Sequence, residues 1–162
     1  MGPRRIGSTC LGEGRFLRLD LLEYEDPHGR LRRWEAAARQ GGAAAVLMIP
    51  LLHPSERYVL IRQYRPPVDG LVLEFPAGLV DAAESPVAAA VRELLEETGY
   101  LGSVRWICPH TASSPGMTGE GVMLALVDID ETDPANRNPT PRPEDGEHIR
   151  SEEHTSELQS PN

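Results

Sequence analysis

Three glutamates, Glu93, Glu96 and Glu97, crowd into five consecutive positions of a segment whose punctuation is helical. Ser85 is a good N-cap, Pro86 a good first-turn residue, and Gly99 is placed to end the helix in a left-handed conformation. At about 100° per residue, Val87, Ala90, Val91, Leu94 and Leu95 gather on one face and the glutamates on the opposite side. Such an acidic face is unfavourable by itself. Like charges at i, i+4, as at Glu93 and Glu97, repel by roughly 0.2–0.5 kcal/mol. Acids in the last turn also oppose the helix dipole, at about 0.3–1 kcal/mol each. A bound hard cation reverses both effects, because carboxylate oxygens are the ligands magnesium takes. Three glutamates alone favour a plain solvated face; the surrounding spacing favours a site.

A helix of this kind needs a sheet to pack on, and the rest of the chain supplies strand patterns. Residues 16–21 alternate, turn at 25–29 through Asp26-Pro27-His28-Gly29, and return over 30–36 as a hairpin. Runs 43–52 and 57–64 flank the turn His53-Pro54-Ser55-Glu56, and further strands are expected at 71–75, 104–108 and 121–129. Many strands with one strong helix predict an α+β domain, the helix packed on a mixed sheet. Residues 130–146 form an acidic loop with four prolines between Pro134 and Pro143; loops of that length are usually functional or disordered.

The spacing around the glutamates is specific. Gly78, five residues, Glu84, seven residues, then Arg92-Glu93-Leu94-Leu95-Glu96-Glu97-Thr98-Gly99-Tyr100 resembles the Nudix box at every fixed position. Gly78 is expected to let the backbone turn before the loop, and Arg92 to pair with a neighbouring carboxylate. The resemblance extends outward. Gln63-Tyr64-Arg65-Pro66-Pro67, Glu74-Phe75-Pro76-Ala77-Gly78, Trp34-Glu35 with Arg39, Ser114-Pro115-Gly116 and Glu144-Asp145-Gly146-Glu147 look like the ADP-ribose pyrophosphatase subfamily.

The resemblance implies metal-assisted hydrolysis of a nucleoside diphosphate linked to another group, most simply ADP-ribose to AMP and ribose 5-phosphate. It implies Mg2+, with Mn2+ as the substitute, held by Glu93, Glu96, Glu97 and the carbonyl of Ala77. Glu147 matches the loop glutamate that positions or deprotonates the attacking water, with Glu120 as a second candidate. Arg92 belongs to the catalytic group. Trp34 matches the residue that stacks on adenine, Phe16 a second aromatic, and Arg39 and Arg65 the arginines on diphosphate or terminal ribose; Gly116 and Glu120 fall in the same substrate-contacting set. It also implies a Nudix-type α/β/α sandwich and a homodimer in the intact protein. Two readings stay open beside it: a ligand-binding Nudix module without turnover, and a pyrophosphatase for another nucleotide sugar or an oxidised nucleoside diphosphate.

Composition excludes other classes. The chain has 162 residues, 16 basic against 25 acidic, a net charge of −9. Every basic residue is arginine. An acidic chain argues against a general nucleic-acid-binding surface. Two cysteines, Cys10 and Cys108, are too few and too far apart for a disulfide scaffold or a self-contained zinc site. No apolar run is long enough to span a membrane, and the N-terminus lacks a secretory core, so a cytoplasmic setting is expected.

The last stretch reads differently. Residues 150–160, Arg-Ser-Glu-Glu-His-Thr-Ser-Glu-Leu-Gln-Ser, resemble the in-frame translation of a sequencing-library adapter. The expected organisation is therefore an N-terminal tail over 1–13, a Nudix domain over 14–149 with its hairpin at 14–39, and a non-native tail over 150–162. The strand and helix with which relatives continue are expected to be missing.

Overall fold

The structure, a computed structural model, describes residues 2–41, 44–143 and 148–155. These fall into two units, one drawn from Met1–Ala44 and Thr111–Gly121, the other from Ala45–His110 and Val122–Asn162.

The first unit is a three-stranded antiparallel sheet of β1 (Arg4–Glu13), β2 (Leu17–Glu25) and β3 (Leu31–Arg39), in that order. Residues 4–13, expected to be a tail, are thus a strand, paired from Arg4↔Glu25 to Glu13↔Arg18. The β2–β3 turn follows the sequence chemistry. Asp26 Oδ1 accepts from the amides of His28 at 2.9 Å and Arg30 at 3.0 Å, and Gly29 takes a φ of +75°. Those bonds, the one from Arg30 foremost, hold the Asp26 carboxyl below its usual pKa. Residues 111–121 return to this sheet, where the Ala37 amide donates to the Met117 carbonyl at 2.8 Å.

The second unit is built on a mixed sheet. Its strands are β4 (Ala45–His53), β5 (Arg57–Arg65), β6 (Gly70–Glu74), β7 (Ala77–Leu79), β8 (Ser103–Ala112), β9 (Gly121–Asp130) and β10 (Ile149–His154). The order is β10-β5-β4-β9-β8, with β6 paired to β5 and β7 to β4. β4 and β9 run parallel, Ala45 facing Val122 through His53 facing Asp130. β4 alternates as a strand should, burying Val46, Met48, Pro50 and Leu52. Against them packs α1 (Pro86–Thr98), the one α-helix among the described residues, with Ala89, Ala90 and Leu94 in one cluster with Val59, Val127 and Ile129.

The helix ends are those the sequence announces. Ser85 Oγ accepts from the Ala88 amide at 3.2 Å, Pro86 opens the first turn, and Gly99 closes it at φ +77°. Its buried face differs from the expected one. Val87 and Leu95 are exposed, whereas Glu97 and Thr98 are buried. Glu97 stands seven residues after Ala90 and three after Leu94, so helical geometry sets it on their buried stripe rather than opposite it.

A C-terminal strand, expected to be missing, is present as β10. It pairs antiparallel with β5 from Ile149↔Gln63 to His154↔Tyr58, so residues 150–154 of the polar tail lie in the sheet. Arg62 forks onto Glu152 at 2.8 and 3.1 Å, and the Tyr100 hydroxyl donates to Glu153 at 2.5 Å. No α-helix follows among the described residues, and no helix among them is long and apolar enough to cross a membrane.

Candidate functional site

Arg92 is the centre of the acidic cluster. Its Nε and Nη2 donate to the two oxygens of Glu84 at 3.1 and 2.9 Å, a bidentate pair, and Nη2 also reaches the Leu79 carbonyl at 3.1 Å. Nη1 donates to Glu96 at 3.0 Å and lies 2.9 Å from Glu93 Oε1. One guanidinium therefore ties the loop before the helix to two carboxylates on it. The Glu84 bond above all, then Glu93 and Glu96, raises the Arg92 pKa further above its already high value, and Arg92 in turn holds the Glu84 carboxyl below the usual range. Helical periodicity alone could not have assigned Glu84 as partner, because it precedes the helix; only the box spacing placed it.

Gly78 is required for a reason other than the expected one. It sits within β7 with no positive φ, so it makes no turn. A Cβ at this position would overlap the carboxylate carbon and Oε1 of Glu93. The missing side chain is the space that Glu93 fills. One turn on, buried Glu97 accepts from the Ala77 amide at 3.1 Å, a charge-assisted bond that offsets its desolvation.

A cleft of about 340 Å3 is lined by Ala77, Gly78, Asp81, Arg92, Glu93, Glu96 and Glu97. The expected metal ligands are thus brought together on one strand and one helix. Among the described residues no three acidic, histidine or cysteine side chains form a ready-made metal cage; Arg92 holds oxygens of Glu93 and Glu96. The donor set is nonetheless all oxygen, which fits a hard divalent ion, and the pocket at Gly78 admits a carboxylate to it.

Five of the six expected substrate residues, Phe16, Trp34, Arg39, Gly116 and Glu120, lie on the first unit. Trp34, half exposed, donates its indole N–H to the Gly116 carbonyl at 3.0 Å. Arg39 donates to Glu120 at 2.8 Å, so Glu120 is an arginine partner in this unit. Phe16 is exposed, with the Arg15 guanidinium 5.1 Å from its ring centre. Arg65 belongs to the other unit and donates to Glu74 at 2.8 Å. Glu147 lies outside the described residues.

The NUDIX domain profile matches residues 42–157. The chain is 40% identical over 144 residues to an ADP-sugar pyrophosphatase of Mus musculus, covering 85% of this chain and 66% of that protein. It is 36% identical over 143 residues to an ADP-ribose pyrophosphatase of Saccharomyces cerevisiae, covering 83% and 62% respectively. The chain therefore spans less than two thirds of the length of these relatives. Among solved structures, one titled as an ADP compounds hydrolase superposes with a TM-score of 0.68 at 21% identity, over 96% of this chain and 79% of that one. That likeness shows the fold. A mixed sheet carrying one acidic helix, a glycine cut away to seat a glutamate, and a profile spanning most of the sequence lead to one conclusion: the chain belongs to the Nudix hydrolase family.

Proposed function

We propose that this chain is a divalent-metal-dependent pyrophosphatase for a nucleoside diphosphate sugar, with ADP-ribose as substrate and AMP and ribose 5-phosphate as products. The observation that carries the reading is the cleft in which Glu93, Glu96 and Glu97 converge beside Ala77. The names of the relatives support the substrate class.

Glu93, Glu96, Glu97 and the Ala77 carbonyl would hold Mg2+, or Mn2+ in its place. When bound, that ion neutralises the diphosphate and acidifies a water. Arg92, on the wall of the cleft, keeps the carboxylates in register. Arg39, oriented by Glu120, and Arg65, oriented by Glu74, present planar donors suited to phosphate oxygens. Trp34 offers its half-exposed ring to a base, its N–H already committed to Gly116. Phe16 is the second aromatic. Glu147 is the proton acceptor for the attacking water. That water adds its oxygen to one phosphorus as the bridging oxygen leaves with the other. The proposal extends to a homodimer in a cytoplasmic setting, with a nucleotide sugar as small-molecule partner and neither nucleic acid nor membrane.

Incubation with ADP-ribose and Mg2+ should release AMP, and Glu97→Gln should lower turnover by roughly 10³-fold, the loss of several kcal/mol of metal-assisted stabilisation. No AMP from ADP-ribose or from a panel of nucleotide sugars removes the activity. Calorimetric binding of ADP-ribose without product would mark a binding module instead.

A further inference from the structure

The last carbonyls of a helix have no partner within it. In α1 the Leu95 carbonyl is capped by the Gly99 amide at 2.8 Å, but the Glu96 carbonyl accepts from the Arg142 amide, at 2.6 Å. That amide arrives from the proline-rich segment, which crosses the end of the helix and is fastened at two further points. Asn136 is buried. Its Oδ1 accepts from the Leu101 amide at 2.8 Å, and its Nδ2 donates to the Leu101 carbonyl at 2.9 Å and the Asp130 carbonyl at 3.0 Å. Between these anchors Pro139 and Thr140 press on Gly99, where a Cβ would stand 2.5 Å from the Thr140 carbonyl carbon and 2.8 Å from that of Pro139. Gly99 is thus required twice, for its φ of +77° and for the room it leaves.

We propose that residues 134–142 are a strap that fixes the last turn of α1, and that Asn136 is a positioning residue for the carboxylates of Glu96 and Glu97. The inference rests on the metal-dependent reading above. A helix end held only by its own bonds frays. Here the turn carrying two of the ligands is tied at Glu96, Gly99 and Leu101 by groups that do not line the acidic cleft. Three prolines, Pro134, Pro139 and Pro141, limit the freedom of the strap before it docks, which lowers the entropy lost on docking.

Two variants test it. Asn136→Ala removes the buried anchor. Arg142→Pro removes the N–H that caps Glu96, together with an exposed guanidinium, and leaves buried side chains untouched. Exposed Asn138→Ala is the control. Without metal, amide exchange at 96–99 should quicken about tenfold in both variants and not in the control, while β4 amides stay as they were. Mn2+ affinity, read by electron paramagnetic resonance, should fall about 10–100-fold, the usual loss when a support of a metal ligand is removed. Turnover should fall with little change in KM for ADP-ribose. Unchanged exchange in folded variants overturns the strap. Faster exchange with unchanged Mn2+ affinity overturns the positioning role. A wild-type chain that binds no Mn2+ overturns the metal reading instead, and the exchange comparison still decides whether the strap holds the turn.

Discussion

The carboxylate of Glu93 occupies the volume in which a side chain at Gly78 would begin. The two residues belong to different elements, a short strand and the helix, and their interlock sets the depth at which a candidate ligand enters the cleft. Gly78→Ala should therefore push Glu93 out of place. The expected result is a 10–100-fold loss of Mg2+ or Mn2+ affinity, with about 1–3 kcal/mol of stability lost to overpacking. Metal titration and denaturant melts on the same sample check both.

The Glu84–Arg92 fork gives an acid limb to stability. The Glu84 carboxyl sits below its ordinary value of 4.5 because Arg92 donates to it. Its contribution is complete above that ordinary value and is lost as pH falls through the lower folded one. Melting temperatures followed from pH 7 downward should drop more steeply for the natural chain than for Glu84→Gln, and the two curves should converge once the carboxyl is protonated in the folded state.

His53 works in the opposite sense. Its imidazole bridges Asp128 at 3.0 Å and Glu56 at 2.9 Å, and those bonds, Asp128 first, raise its pKa above the ordinary 6.5. The protonated ring ties the β4–β5 turn to β9. That contribution is fully present below the ordinary value and is lost as pH rises through the raised one. An NMR titration should place the ring above 6.5. The stability advantage over His53→Gln should shrink as the ring loses its proton.

β10 should be needed for stability. Ending the chain at Ile149 deletes the ladder on β5, the Arg62–Glu152 pair and the Tyr100–Glu153 bond. At about 1 kcal/mol per net hydrogen bond, a loss on the order of a few kcal/mol follows. A denaturant melt of the shortened chain would show it as a lower midpoint; an unchanged midpoint would mean the strand adds nothing.

What could be read directly from the sequence was local. Ser85, Pro86 and Gly99 set the helix ends, and apolar runs located β4, β5 and β9, because those signals lie within a few residues of what they specify. The box spacing brought Gly78, Arg92 and the three glutamates to one cleft. The role of Gly78 was hidden, since it depends on the contact between β7 and α1, whereas the burial of Glu97 was written in its seven-residue spacing from Ala90. β1 and β10 were missed for another reason. They are mostly polar strands joined through backbone ladders and ion pairs such as Arg4–Glu25, and they carry no apolar rhythm along the chain.

Residues 111–121 return from far along the chain to lie against β3, with Ala37 bonded to Met117, Trp34 to Gly116 and Arg39 to Glu120. The N-terminal sheet is consequently not a detachable cassette. A fragment cut at residue 44 would shed three strands yet retain their companion segment, leaving a carbonyl, a tryptophan's landing point and a lone carboxylate without counterparts. Anyone trimming this protein for crystallisation or display must move both stretches together.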